Sequence, residues 1–175
     1  MIEIYTDGAC IGNPGPGGWA AVVVDDGRKR SISGGNDETT NNRMEITAII
    51  EALKDLPSRR SITVYSDSQY VVNTMKSQWK RKANLDLWQQ LDAQSERHKI
   101  HWEWGRGHSG HPLNEEADSL AVSEAKDRAA NSYNNSLSHV DPSGKARMVD
   151  VGNKPVTDRV AVSKGSVRMN RTTLS

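Results

Sequence analysis

Cysteine is nearly absent: Cys10 is the only one in 175 residues. That excludes an internal disulfide framework, and no Cys/His cluster of zinc type accompanies it. Nor does Cys10 have a His/Asp partner placed to make it a nucleophile. Long apolar runs are missing, so no segment has the length needed to cross a membrane. No charged-then-apolar leader precedes Met1-Ile2-Glu3-Ile4, which reads directly as a strand. Internal repeats are absent and the formal net charge is only +1. The expectation is a cytoplasmic, monomeric protein, away from membranes, with one ordinary domain and a proper core.

The near-neutral total hides a division. Residues 128–175 carry eight Lys/Arg against three Asp, whereas residues 1–127 carry 15 Lys/Arg against 19 Asp/Glu. The apolar period fades after about Lys126, and the stretch 131–175 is polar and basic. It reads as an appendage to a domain spanning 1–130, flexible or loosely docked, of a composition often used to contact nucleic acid.

The rest is organised around Ile4-Tyr5-Thr6-Asp7-Gly8-Ala9-Cys10, a short strand running into the turn-rich Gly12-Asn13-Pro14-Gly15-Pro16-Gly17-Gly18. A carboxylate thus sits at the carboxyl end of a strand, where open α/β sheets place their chemistry. Ile62-Thr63-Val64-Tyr65-Ser66-Asp67-Ser68 repeats the pattern. If the two strands are neighbours in register, Asp7 and Asp67 lie side by side and repel each other unless a cation or a shared proton intervenes. Oxygen ligands of this kind suit Mg²⁺ or Mn²⁺.

Between them, Trp19 to Val24 and Arg28 to Ser33 read as strands joined by a hairpin turn at Asp25-Asp26-Gly27, the second at the sheet edge. A helix beginning at Asn41-Asn42, capped by Asn, stops before Pro57; Ile46, Ile49, Ile50 and Leu53 form its packing face. Glu45 falls in its first turn near the sheet, either as a group favoured by the helix dipole or as part of a site. Ser68 is a cap for a helix reaching roughly Trp79, and Asp86 to about Arg97 forms another, with Leu87, Trp88 and Leu91 inward. Ile100 to Trp104 alternates as a fifth strand. After the loop Gly105 to Pro112, Asn114 caps a last helix that carries Asp118 beside a face of Ala117, Leu120 and Ala121. The order predicts an α/β fold: a five-stranded mixed sheet, an antiparallel meander plus parallel strands, with helices on its faces.

These motifs, taken in order, resemble the type 1 ribonuclease H family of the bacterial kind. The residues that carry the likeness are Thr6-Asp7-Gly8, Gly12 to Gly18, Thr40-Asn41-Asn42-Arg43-Met44-Glu45, Ser66 to Val71, Asn84 to Trp88, and Gly107 to Pro112 with Asn114 to Asp118. The resemblance implies a ribonuclease H-like fold and a metal-dependent endonuclease that cuts the RNA strand of RNA–DNA hybrids, leaving 5′-phosphate and 3′-hydroxyl ends. It implies that Asp7, Glu45, Asp67 and Asp118 bind two Mg²⁺ ions, with Mn²⁺ as a substitute. Asp7 is expected to bridge the ions, Asp118 to serve the nucleophile side, and Glu45 and Asp67 the leaving-group side. His108 is implied as the loop histidine that moves a proton or helps product leave. Cys10, Gly12, Asn13 and Gln69 are expected along the RNA strand. Thr40, Asn41 and Asn84 are expected at a phosphate of the DNA strand, with Trp79 and Trp88 beside the DNA channel.

Two departures from the family pattern stand out. The long basic protrusion is reduced to Trp79-Lys80-Arg81-Lys82-Ala83, and a basic tail is added. Alternatives are a related nuclease or polynucleotidyl transferase with another substrate, and a hybrid-binding module without activity.

Overall fold

The structure, a computed structural model, describes residues 1–77, 79–105 and 111–135, with residues 132–135 described by backbone alone. The elements are β1 (Ile2–Cys10), β2 (Gly15–Asp25), β3 (Arg28–Thr39), α1 (Asn41–Lys54), β4 (Ser61–Ser66), α2 (Gln69–Ser77), α3 (Leu85–Ser95), β5 (Lys99–Trp104) and α4 (Pro112–Asn135). They form one five-stranded sheet in the order β3-β2-β1-β4-β5. The first three strands are antiparallel, and β1-β4-β5 are parallel. The strand carrying Asp7 is thus central, and the Lys/Arg-bearing β3 is an edge. Asp26 and Gly27 both have positive φ, +50° and +75°, which a two-residue hairpin with the strand twist demands.

Helices cover both faces. Ile46, Ile49, Ile50 and Leu53 of α1 pack with Ile4, Ala21, Val23 and Val64, joined by Val71 and Val72 of α2 and Leu87, Trp88 and Leu91 of α3. On the opposite face Ala117 of α4 meets Tyr5 and Val22. Small residues set these distances. A Cβ on Gly8 would stand 2.4 Å from the Glu45 nitrogen, and one on Gly18 would stand 2.2 Å from the Ala121 carbonyl oxygen.

Several boundaries differ from the sequence reading. The glycine run from Gly15 is strand rather than turn, because Gly17 and Gly18 are buried where Met44 and α4 press onto β2. β3 continues through Gly34-Gly35 to Thr39 for the same reason: Gly34 lies under the Trp19 indole. Thr40, not Asn41, caps α1; its backbone is extended and its Oγ1 accepts from the Arg43 N–H at 3.4 Å. Glu45 is therefore the fifth helical residue, in the second turn. α2 stops at Ser77, short of Trp79.

Pro112 opens α4, which places Asn114 inside the helix rather than at its cap. The same helix runs past Lys126 to Asn135. It is held on β3 by polar contacts that an apolar period cannot report: Glu116 accepts from Lys29 Nζ at 2.6 Å and from Ser31 Oγ at 2.8 Å. Glu124 accepts from Ser33 Oγ at 2.8 Å, and Arg128 lies 3.7 Å from Asp37.

Candidate active site

Parallel pairing builds the first half of the site. β1 and β4 run in register from Ile2 against Ile62 to Thr6 against Ser66, so the next residues, Asp7 and Asp67, leave the sheet side by side. Glu45 arrives from α1, which the absent side chain of Gly8 allows onto the strand. The carboxylates of Asp7, Glu45 and Asp67 place one oxygen each within 4.8 Å of the others. Asp118 of α4 is not among those three, but it acts on Asp7 both through its charge and through a hydrogen bond.

Such a cluster is electrostatically costly when it is empty. Burial, followed by the charge of Asp67, pushes Asp7 up to about 7, against the Gly8 N–H that donates to its Oδ1 at 2.7 Å. Glu45 is raised well above the ordinary carboxylate range, by burial first and then by Asp7 and Asp67. Its Oε1 accepts from Asn41 Nδ2 at 3.2 Å. Its Oε2 is buried without a hydrogen-bond partner among the described residues. An orphaned carboxylate oxygen beside two others is what a hard divalent cation would satisfy, so the residues fit a divalent metal ion.

The other expected residues fall into groups. Asn13 Oδ1 accepts from the Asn41 N–H at 3.0 Å, so the turn after β1 is tied through Asn41 to Glu45. Gly12 has φ +84°, and the turn is closed by Ile11 N–H donating to Pro16 O at 2.8 Å. Cys10 Sγ is engaged with the carbonyls of Gly15 and Thr39, each at 3.5 Å, and serves that turn's shape. Gln69 is exposed at the start of α2. Thr40 and Asn84 are linked through Arg43, whose backbone N–H donates to Thr40 and whose guanidinium reaches Asn84 Oδ1 at 3.4 Å. The same guanidinium grips Asp86 with two bonds of 3.0 and 2.6 Å. This fork was not singled out in the sequence. Its signal was Arg43 inside the Asn41 to Glu45 motif, with Asp86 two residues after Asn84.

Trp79 is 53% exposed and free to meet a ligand. Trp88 takes the inward of its two expected places: it is 1% exposed, its Nε1 donates to Tyr70 Oη at 3.1 Å, and Arg81 stacks 4.9 Å above it. It belongs to the core. Arg81 is likewise turned inward onto Trp88 and Asp92, which leaves Lys80 and Lys82 as the exposed cations of the basic run. His101 lies on the exposed strand surface, its Nε2 2.6 Å from Glu103. His108 lies outside the described residues.

A family model described as RNase H matches residues 1–126. The chain belongs to the RNase H family. A ribonuclease H of Thiobacillus denitrificans is 52% identical over 134 residues, covering 69% of this chain and 90% of that protein. Among solved structures, the N-terminal RNase H domain of a Mycobacterium tuberculosis protein, fused to maltose binding protein, superposes with a TM-score of 0.67 at 31% identity. It covers 75% of this chain and 97% of that one. LC11-RNase H1, solved in complex with an RNA/DNA hybrid, gives a TM-score of 0.64 at 27% identity, covering 74% and 99%. This RNase H is an endoribonuclease whose activity is metal-dependent hydrolysis of the RNA strand of RNA–DNA hybrids. No helix among the described residues is long and apolar enough to cross a membrane.

Proposed function

We propose that this RNase H cleaves its substrate with two Mg²⁺ ions, for which Mn²⁺ can substitute, held by Asp7, Glu45, Asp67 and Asp118. The single observation that carries this is the buried, partnerless Glu45 Oε2 beside the carboxylates of Asp7 and Asp67. When bound, such ions acidify the attacking water and stabilise the leaving 3′ oxygen. The protein's own groups do the rest. Asp7, central among the carboxylates, holds the two halves of the site together, with Asp118 on the nucleophile side and Glu45 and Asp67 on the leaving-group side. Asn13, Gln69, Gly12 and the backbone at Cys10 line the RNA strand, where backbone without side chains can approach the 2′-hydroxyls closely. Glu45 is a second acceptor for a 2′-hydroxyl. Thr40, Asn41 and Asn84, braced by Arg43, grip a phosphate of the DNA strand, and Trp79 flanks that strand. His108 moves a proton or helps product leave. The enzyme acts as a cytoplasmic monomer and leaves 5′-phosphate and 3′-hydroxyl ends.

The test is cleavage of a labelled RNA–DNA hybrid beside RNA duplex, DNA duplex and single-stranded RNA, with Mg²⁺ and with chelator. The expected result is cutting of the hybrid's RNA strand alone, abolished by chelator. Equal cutting of RNA duplex, or cutting that survives chelation, overturns the reading.

The stretch 131–175 is proposed as a basic appendage that grips phosphates the shortened protrusion cannot reach. It carries Lys145, Arg147, Lys154 and Arg159, which lie outside the described residues. Because α4 extends to Asn135, truncation after that residue leaves the helix whole. Hybrid affinity is then expected to fall, and the slope of its logarithm against log salt to shrink by roughly 0.9 for each phosphate that the shortened chain leaves unneutralised. An unchanged affinity and slope sinks the idea.

A further inference from the structure

The face of the sheet that α4 packs on is only partly covered: α4 lies over β1, β2 and β3 rather than over β4 and β5. Beside the helix, this leaves a cavity of about 460 Å³ whose lining includes Glu3, Tyr5, Tyr65, Glu103, Trp104 and His111. That volume is in the range of small-molecule sites. Among the described residues its walls are aromatic and its charges are of one sign, with neither lysine nor arginine lining it.

The rings form a column. Tyr65 stacks on Tyr5 at 4.7 Å between centroids, and His111 stacks on the other side of Tyr5 at 4.8 Å. The strand register places the two carboxylates at opposite ends of this wall. Tyr5 pairs with Tyr65 and Tyr65 with Glu103, while Glu3 lies two residues before Tyr5. Glu3 and Glu103 are therefore two strand spacings and two residues apart, on the order of 12 Å between their backbones. A separation of that order sets one carboxylate at each end of the wall. It suits a cation with a charge at each end and an apolar stem between. At one end the cavity adjoins the acidic cluster, where Trp104 Nε1 donates to the Asp67 carbonyl at 3.1 Å. Glu103 already meets His101 at 2.6 Å and Lys76 at 3.5 Å. These are exposed pairings, which an incoming ammonium can replace at little cost.

We propose that this cavity binds a small linear diammonium cation, an α,ω-diaminoalkane, with Glu3 and Glu103 holding its two ends and the Tyr5, Tyr65 and His111 column and Trp104 flanking its stem. Ammonium groups pair with carboxylates and an alkyl stem packs along aromatic rings, so both kinds of wall favour the same ligand.

The test is titration of the full chain with 1,4-diaminobutane, followed by amide NMR shifts and tryptophan fluorescence. Saturating Mg²⁺ keeps the amine off Asp7, Glu45 and Asp67, and 1-aminobutane serves as the single-charge comparison. The expected result is saturable binding, with shifts at Glu3, Tyr65, Glu103 and Trp104 and an affinity at least tenfold above that of the monoamine. Glu3→Gln and Glu103→Gln are each expected to weaken binding about tenfold, while Glu51→Gln on the far helix leaves it unchanged. Glu103 sits on an edge strand and is half exposed, so its variant carries the test even if Glu3→Gln unfolds. Equal affinities for the two amines, shifts confined to the Asp7 and Asp67 neighbourhood, or unaltered binding in the Glu103 variant each overturn the proposal.

Discussion

Asp7→Asn is expected to lower hybrid cleavage on the order of 10³-fold or more and at the same time to make the metal-free protein more stable. The first effect follows because Asp7 is the carboxylate placed against both Asp67 and Asp118, and removing one member of a site that acts as a unit costs nearly as much as removing all. The second effect follows from the charge that the site stores. With the Asp7 carboxyl pushed up to about 7 by burial and by Asp67, folding keeps a proton that the unfolded chain gives up near pH 4. The contribution of this group is complete below about pH 4 and is lost as pH rises through about 7. Metal-free wild-type protein should therefore melt at progressively lower temperature over that window. The Asn variant should lose much of this slope and melt higher at pH 7.5, by ~4–8 °C if relief of the repulsion amounts to about 2 kcal/mol. Calorimetry with chelator across pH 4–8 reads the second effect, and single-turnover cleavage the first. Hybrid affinity should stay within a few-fold, since the groups proposed to grip the phosphates are intact. A variant that is inactive but no more stable than wild type without metal would mean that the repulsion is already relieved by other means.

Gly8→Ala is the substitution expected to damage fold and activity together without touching a functional group. The new Cβ would meet the Glu45 nitrogen at 2.4 Å and the Met44 carbonyl carbon at 2.6 Å. Both are backbone atoms of α1, and neither can turn aside. The central strand is fixed by neighbours on both sides, so the helix must shift, at a cost of about 3 kcal/mol. Glu45 moves with it, and a displacement near 1 Å at a catalytic group costs roughly 10²-fold in rate. Gly27→Ala is the matched comparison. Gly27 has nothing within 4 Å of its would-be Cβ and only a positive φ to lose, so about 1 kcal/mol and no change in cleavage are expected. Melting temperatures and kcat for the two variants decide the matter. Equal effects would show that chain flexibility, not helix approach, is what Gly8 provides.

Much of the site was legible in the chain because it rests on local rules. A strand ending in Asp7 and a second ending in Asp67 needed only parallel pairing to become neighbours, and the register supplies it. Glu45 was readable as near the sheet because Ala48 and Ala52 follow it at helical spacing. Less legible were features set by close approach between elements. Gly15 to Gly18 carry every local mark of a turn, yet they are strand, because α1 and α4 need small residues beneath them. Trp88 looked equally suited to core and channel; only the arrival of Tyr70 and Arg81 buries it. The latter half of α4 has little apolar period because Glu124 and Arg128 hold it to Ser33 and Asp37 of β3. Cap identity also escaped, since Thr40 and Asn41 are both good candidates and backbone geometry alone chooses between them.

The pairing of β1 with β4 carries a consequence for how the enzyme is made. Thr6 Oγ1 donates to the carbonyl of Tyr65, a partner 59 residues away in sequence. The hairpins of the first 39 residues close locally, but the union of Asp7 with Asp67 waits for a loop of that length, containing all of α1, to be drawn shut. A nascent or refolding chain can therefore display much of its secondary structure while having no site at all. Cleavage should return during refolding only with the last long-range strand pairing, later than helical circular dichroism, which makes the enzyme's own activity a clock for completion of its sheet.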